Sequence, residues 1–301
     1  MQLAALPDVT VCTYGDMLRV PGRNGSLEKA RANGADVRVI YSTLDAVKWA
    51  QKTPNRQFVL GAVGFETTAP ASAAAVLQAQ ALNLKNFSIL ASHKLVLPAM
   101  MALLKAGDVH VDGFLCPGHV SAIIGVDVYR PIIDQYRLPC VVSGFEEVHM
   151  MAAITRLVEL VRENRAELVN EYAEAVLSTG NQSARQLMEK VFRPADVRWR
   201  ALGCIAQSGL VLRDEYRDFD AMKRYNMPLP EEKEPAGCLC GKVITAAATP
   251  HDCKLFGKVC TPIHPIGPCM VSSEGTCQAY FKYARIKGGR LSGSYVAGGV
   301  A

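Results

Sequence analysis

Six short apolar, β-branched runs recur along the first half of the chain, and helical patterns separate them. They are Val9 to Thr13, Asp36 to Tyr41, Gln57 to Val63, Asn86 to Ala91, Val111 to Leu115 and Cys140 to Ser143. Runs of this length suit strands buried on both faces. Their alternation with helices suits parallel sheets, because only a crossover can join parallel neighbours. Helix boundaries are legible in the same segment. Ser26 is placed to cap a short helix that Gly34 stops, and Ser42 or Thr43 to cap one that ends before Pro54. The Ala-rich stretch Thr67 to Leu82 is helical in pattern. The fold class expected is therefore α/β.

From Glu146 the pattern changes. Residues 146 to about 172 predict one long amphipathic helix, with Val148, Met151, Ile154, Leu157, Val158, Val161 and Leu168 apolar. A second helix is expected from about Ser183 to Phe192. Residues 226–237 are rich in Pro and Glu and read as a linker, and the Gly/Ser-rich tail from about Lys287 reads as loose.

At 301 residues the chain is long enough for two or three compact units. Half of it is apolar and a fifth charged, which excludes wholesale disorder. The net charge of +5 is scattered rather than blocked, so nucleic acid is not expected as a partner. No apolar run reaches the roughly 18 residues of a membrane helix, so no membrane partner is expected. Met1 to Cys12 lacks a cationic start and carries Asp8, so no signal peptide is read there. The expected location is cytoplasmic and reducing. Cysteines there serve metal or thiol chemistry more often than stable disulfides.

In open α/β sheets ligands bind beyond the carboxyl ends of the strands. Three polar, Gly-containing segments fall at such ends: Thr13 to Asp16, Gly64 to Thr68, and Cys116 to Ser121. Glu66 is a carboxylate at a helix start, where backbone N–H groups favour negative charge. The plainer reading is a cap built on Thr67 or Thr68. His119 has the chemistry to donate a proton, bind a polar ligand or cap Ser121, and His93 is a weaker case. Gly144-Phe145-Glu146 repeats the theme of Gly64-Phe65-Glu66, which fits either two carboxylates converging on one cleft or two ordinary helix starts. No Gly-rich turn matches a nucleotide-binding fingerprint.

Six of the ten cysteines, Cys238, Cys240, Cys253, Cys260, Cys269 and Cys277, fall within 40 residues, spaced C-x-C-x12-C-x6-C-x8-C-x7-C. Four thiolates complete a zinc or an iron–sulfur site. Zinc ribbons favour paired C-x2-C knuckles, which are lacking here. Wide, irregular spacings suit a 4Fe–4S cube, and free buried cysteines are the bland alternative. Cys140 and Cys204 sit in apolar runs and read as core. Cys12 and Cys116 lie at strand ends, as core fillers or exposed thiols.

Several motifs carry a resemblance. They are T-Y-G-D-M-L-R-V-P-G (Thr13 to Gly22), G-F-E-T-T (Gly64 to Thr68), P-G-H-V-S (Pro117 to Ser121) and S-G-F-E (Ser143 to Glu146). Further on come L-G-x-I-x-x-S-G-L (Leu202 to Leu210), D-C-x-L-F-G-x-x-C-T-P (Asp252 to Pro262) and M-V-S-S-E-G-T-C (Met270 to Cys277). In this order, from residue 1 to about Tyr283, they resemble the HypD family of hydrogenase formation proteins. The resemblance implies two Rossmann-like parallel-sheet α/β domains, the first incomplete, plus a small Cys-rich iron–sulfur domain. The expected spans are 1–53 for the remainder of the first domain, 54–145 for the second and 146–235 for a helical connection and linker. A Cys-rich domain then covers 236–285 and a flexible tail 286–301.

The function it implies is a scaffold in nickel–iron hydrogenase maturation, working with a HypC-type chaperone and a HypE-type cyanide donor. Iron gains its cyanide and carbonyl ligands there as a transient Fe(CN)2CO moiety. The implied 4Fe–4S ligands are Cys240, Cys253, Cys260 and Cys277, and the implied cleft residues are Glu66, Thr67, Thr68 and His119. Family members begin with a Cys-Gly-x-His motif that anchors iron, then a Cys-Pro-x-Cys motif, and neither stands in this sequence. The expectation is a chain without that anchoring thiol. Readings from other classes are a metal-stabilised protein-binding scaffold without chemistry and a thiol oxidoreductase using Cys238-x-Cys240.

Overall fold

A computed structural model describes residues 1–284, except 23, 24, 108 and 229–234. The expected tail and much of the expected linker lie outside the described residues. The chain divides into two compact units. The first comprises residues 1–199 and 203–231, the second residues 200–202 and 232–301.

In the first unit β1 (Val9–Thr13) pairs in parallel with β2 (Val37–Val39) on one side and β3 (Gln57–Gly64) on the other. β3 in turn pairs with β4 (Phe87–His93), giving the order β2-β1-β3-β4. All five residues of β1 are buried, as its near-continuous apolar run requires. Three crossovers link these strands: α1 (Leu27–Ala32), α2 (Thr43–Lys52) and α3 (Ala69–Ala81). Ser26 caps α1, accepting from Lys29 N. Ser42 and Asp45 form a capping box on α2. α4 (Val96–Ala106) leaves β4 and leads to a second parallel sheet, β5 (Phe114–Pro117), β6 (Cys140–Ser143) and β7 (Leu168–Asn170). Between β5 and β6 lie α5 (Gly118–Ile124) and α6 (Arg130–Tyr136), and between β6 and β7 lies α7 (Glu147–Arg162).

The expected boundary at 53/54 does not stand, because β1 and β3 are hydrogen-bonded neighbours in one sheet. The first sheet therefore runs from Val9 to His93, and the second begins at Phe114. The long helix expected to residue 172 stops at Arg162. Asn164 adopts a left-handed φ of 51°, and the Arg165 N–H bonds back to the Leu160 carbonyl, 2.9 Å away. That turn releases Leu168 into β7.

Residues 146–235, expected as a helical connection, also hold an antiparallel hairpin, β8 (Phe192–Trp199) with β9 (Gly203–Leu212). It follows α8 (Gln182–Val191) and precedes the short α9 (Ala221–Arg224). Pro194 and the alternating charged residues of β8 hide the strand from an apolar-run reading. Cys204, expected in the core, is exposed beside the hairpin turn, where the first two residues of β9 are both exposed and Ile205 is the first to turn inward. Cys140, Cys12 and Cys116 are buried.

Each sheet has two packed faces. Phe58, Leu60, Phe87 and Ile89 meet Val76 of α3, Val191 of α8 and Phe192 of the hairpin, while Val9, Val11, Val37 and Val59 face the other way. In the second sheet Cys140 and Val142 pack with Tyr129 and Ile132, and Val141 packs with Ala153 and Leu160 of α7. The second unit holds α10 (Cys240–Ile244) and α11 (Thr276–Tyr283) among short 3-10 turns. Among the described residues no helix is long and apolar enough to cross a membrane.

Asn86 ties the first sheet to its crossover. Its side-chain amide donates to the carbonyls of Ala50, Thr53 and Arg56, at 2.9, 3.0 and 2.9 Å, in a buried setting. Asn86→Ala strands these acceptors. The expected loss is about 1–3 kcal/mol, read as a lower urea midpoint with an unchanged slope.

Candidate functional site

The turn after β3 is shaped by Gly64, whose φ of +126° is left-handed. A Cβ there would collide with Thr68 Oγ1. The Thr68 hydroxyl donates to the Val63 carbonyl at 3.0 Å and lies 3.5 Å from His93 Nδ1. Thr68 is the cap residue of α3 but makes no capping bond with its side chain, so the plainer reading of this motif as a Thr cap is not what the structure shows. Thr67 is exposed.

Glu66 instead turns inward and is only 3% exposed. Its Oε1 accepts from the backbone N–H of Val96, 2.9 Å away, the first residue of α4. The carboxyl thus sits at the positive end of the next helix rather than its own. Its Oε2 has no hydrogen-bond partner. Burial pushes the carboxyl pKa up, against the pull of its backbone hydrogen bonds. Glu66 lines a groove of about 480 Å³ with Leu95 and Pro98 beside it, Ile124 and Asp127 from the second sheet's helices, and Arg185 and Met188 from α8. His93, also at a strand end, is buried and pushed down to about 4 by desolvation. Its ring bonds the Gly64 carbonyl, and its Nε2 is unpartnered.

His119 does not join this group. It sits exposed in the first turn of α5, its ring 4.8 Å from that of Phe145. Glu146 does not converge on Glu66 either. It is exposed and binds His149 Nδ1 at 2.9 Å, while His149 Nε2 meets Glu174 Oε1 at 2.6 Å. His149 is held above its usual pKa, first by its hydrogen bond to Glu146 and then by the charge of Glu174. Glu146 is held below its own, again chiefly by that hydrogen bond. His149 and Glu174 were not singled out from sequence, although Glu146-x-x-His149 at a helix start carries the spacing that brings the first two together. The strand ends thus form two groups: Glu66, Thr68 and His93 at the first sheet, and His119, Phe145, Glu146 and His149 at the second.

The cysteines gather in the second unit, each on a different piece of backbone. Cys240 opens α10, Cys253 follows the 3-10 turn Pro250–Asp252, Cys260 closes the turn from Phe256, and Cys277 lies in the first turn of α11. A capping box between Thr249 and Asp252 fixes the second of these. Cys240, Cys260, Cys269 and Cys277 are buried together, and Cys238 packs against them. Backbone N–H groups point at the sulfurs, Cys269 N at Cys240 Sγ (3.3 Å) and Ile266 N at Cys260 Sγ (3.4 Å). The Cys269 thiol is 3.0 Å from Cys277 Sγ. A Cβ on Gly267 would come within 2.8 Å of Cys238 Sγ, so glycine keeps that side of the cradle open.

Burial pushes the Cys277 thiol up, and the thiols of Cys240, Cys260 and Cys253 push it further. Cys240 is raised as well, by its hydrogen bond with Cys269 and then by burial. Among the described residues no three such side chains are close enough to hold one ion. The donor set is soft and anionic when ionised, converges from four separate segments, and carries N–H donors for the sulfurs. It fits a multi-iron group better than a one-ion knot.

The sequence pattern of the HypD family, described as "Hydrogenase formation hypA family", matches residues 1–284. The chain is 44% identical over 292 residues to the hydrogenase maturation factor HypD of Azotobacter vinelandii, covering 95% of this chain and 77% of that protein. It is 40% identical over 285 residues to the factor of the same name from Escherichia coli strain K12, covering 94% and 76%. A putative hydrogenase expression/formation protein of Methanocaldococcus jannaschii is 42% identical over 276 residues, 92% of this chain and 77% of that one.

The raised pKa of Glu66 has a sign that can be measured. A carboxyl whose folded pKa lies above its unfolded value keeps its proton longer in the native state. Stability should therefore fall as pH rises from the unfolded carboxyl range through the folded pKa. Glu66→Gln keeps the shape and removes the titration. Urea midpoints followed from acidic to neutral pH should lose that fall in the variant, and parallel profiles would rule out the assignment.

Proposed function

This chain belongs to the HypD family of hydrogenase maturation factors, and on that premise we propose that it is an assembly scaffold for the Fe(CN)2CO moiety of nickel–iron hydrogenase. In this reading it works with a HypC-type chaperone and a HypE-type cyanide donor. It carries a 4Fe–4S cluster on Cys240, Cys253, Cys260 and Cys277. The observation that carries the reading is the burial of Cys240, Cys260 and Cys277 in one cluster, from separate turns and helix starts, with Cys253 near enough for its charge to act on the Cys277 thiol. When bound, such a cluster supplies one-electron redox chemistry. The Cys269 and Ile266 N–H groups would steady the sulfur charge at Cys240 and Cys260.

The iron moiety is the substrate, and its ligand nitrogens need hydrogen-bond donors in a shielded place. Glu66 is suited to this. Burial raises the pKa of this carboxyl, so it takes up a proton more readily than an exposed one, and Oε2 is the oxygen with no partner. The Thr68 hydroxyl is spent on the Val63 carbonyl, so its part is to shape the turn that aims Glu66. Thr67 is exposed and serves as a donor at the rim, while His119 stands apart with Phe145 at the second sheet. His93, kept neutral by burial, adds a second unpartnered nitrogen at the strand ends.

Reconstituted without oxygen, the chain should bind about four irons and four sulfides. The double variant Cys253→Ala, Cys260→Ala should lose that content; full retention would exclude the ligand assignment, and zinc in place of iron would exclude the cluster. Co-purified with the chaperone and cyanide donor, the complex should show infrared bands of iron-bound cyanide and carbonyl. Iron–sulfur content without those bands would leave a scaffold with no assembly chemistry.

A further inference from the structure

Between β7 and α8 the chain makes a strap, residues 171–180, in which Val176 alone has a buried side chain. Its near end is folded on itself. The Asn170 side-chain amide donates to the Val176 carbonyl at 2.9 Å, and the N–H groups of Ala175 and Val176 return to the Tyr172 carbonyl. Its far end is pinned by two backbone bonds, from the Val126 N–H to the Leu177 carbonyl and from the Asp127 N–H to the Ser178 carbonyl. Ser178 and Thr179 then form one wall of the groove that Glu66 lines. The middle of the strap is held through Glu174, whose Oε1 meets His149 Nε2 at 2.6 Å.

His149 stands in the first turn of α7, and its other nitrogen, Nδ1, faces Glu146 Oε2 at 2.9 Å. Both ring nitrogens thus point at carboxylate oxygens. A neutral imidazole carries one N–H and one lone pair, so it serves one oxygen and turns the lone pair on the other. The imidazolium carries two N–H groups and serves both. The arrangement is complete only when His149 is charged. The ring is also fitted in place. It lies 4.9 Å from that of Tyr172, and a Cβ on Gly144 would come within 2.8 Å of both His149 Nδ1 and Glu146 Oε2. The start of α7 opposes the charge, because its dipole disfavours a cation. The two carboxylates outweigh it and hold His149 above its usual pKa. His119, from α5, acts on Glu146 rather than on His149. Each nitrogen is already spent on an oxygen, so the species this cluster gains and loses is a proton rather than a metal ion.

We propose that His149 is a protonation-dependent clamp: as imidazolium it bridges Glu146 and Glu174 and fastens the strap to the start of α7, and on losing its proton to solvent it releases Glu174 and loosens the wall of the groove beside Glu66. Glu146 shares a turn with His149 and keeps its bond, so Glu174, from a separate segment, is the one let go. The folded-state pKa lies above the unfolded one. The clamp is therefore closed below the ordinary histidine value of about 6.5 and opens as pH rises through the folded pKa. All of its parts lie in the first unit, so its behaviour is independent of any iron–sulfur content of the second.

Hydrogen–deuterium exchange of the full chain, read by mass spectrometry and corrected for the intrinsic pH dependence of amide exchange, tests this. From about pH 6 to about pH 8.5, protection of residues 171–180 should fall about twofold to fivefold, the range of an exposed ion pair, while β3 and β6 stay unchanged. His149→Gln cannot donate to both carboxylates and should leave the strap loose at both pH values. His149→Arg keeps a permanent charge and donors for both, and should hold the strap at both. Glu174→Gln pairs with either form of the ring and should remove the pH dependence. Circular dichroism checks that each variant folds. Equal protection of the wild-type strap at the two pH values overturns the proposal. So does a pH dependence that survives in His149→Gln, or a His149→Arg strap that still loosens as pH rises.

Discussion

Parallel strands cannot be joined by a tight turn, and this constraint organises the first unit. Each of the five parallel pairings between neighbouring strands needs the chain to cross back over the sheet. Helices therefore cover the sheet faces, the strands become apolar throughout, and polar residues are driven to the strand ends. Glu66, His93, His119 and Glu146 all occupy such ends or the turns just beyond them. The chemistry of the unit is concentrated there because its sheets have nowhere else to put it.

That same constraint explains what was legible. A strand buried on both faces announces itself as an apolar run, so Cys140 to Ser143 was read to the residue and Gln57 to Val63 to within one. A strand buried on one side, such as β8 with its Pro194 and exposed Arg193, leaves a weaker trace. Strand order leaves none, which is why β1 and β3 were separated in sequence although they are neighbours in space. The helix end at Arg162 was marked by Asn164, but an apolar Leu168 at helical spacing outweighed it.

For the site, motifs placed Glu66 and Thr68 at the right turn but not their orientation. Only the structure shows that the carboxyl reaches across to the Val96 N–H while Thr68 bonds inside its own turn. His149 and Glu174 escaped notice because Glu174 comes from the segment after β7, about 25 residues beyond. The cysteine unit is the reverse case. Its helices are short and its turns irregular, and the cysteine spacing carried nearly all the signal. The central place of Cys269, touching Cys240 and Cys277, emerges only in three dimensions.

The bond from Glu66 to Val96 joins a turn of one sheet to the helix that carries the chain toward the other. Its strength depends on a single proton, because an ionised carboxyl grips a helix start harder than a neutral one. Whatever changes the charge state of Glu66 therefore alters the stiffness of the joint at which the backbone passes from the first sheet to the second. Acid–base state and mechanical compliance are, at this one residue, the same variable.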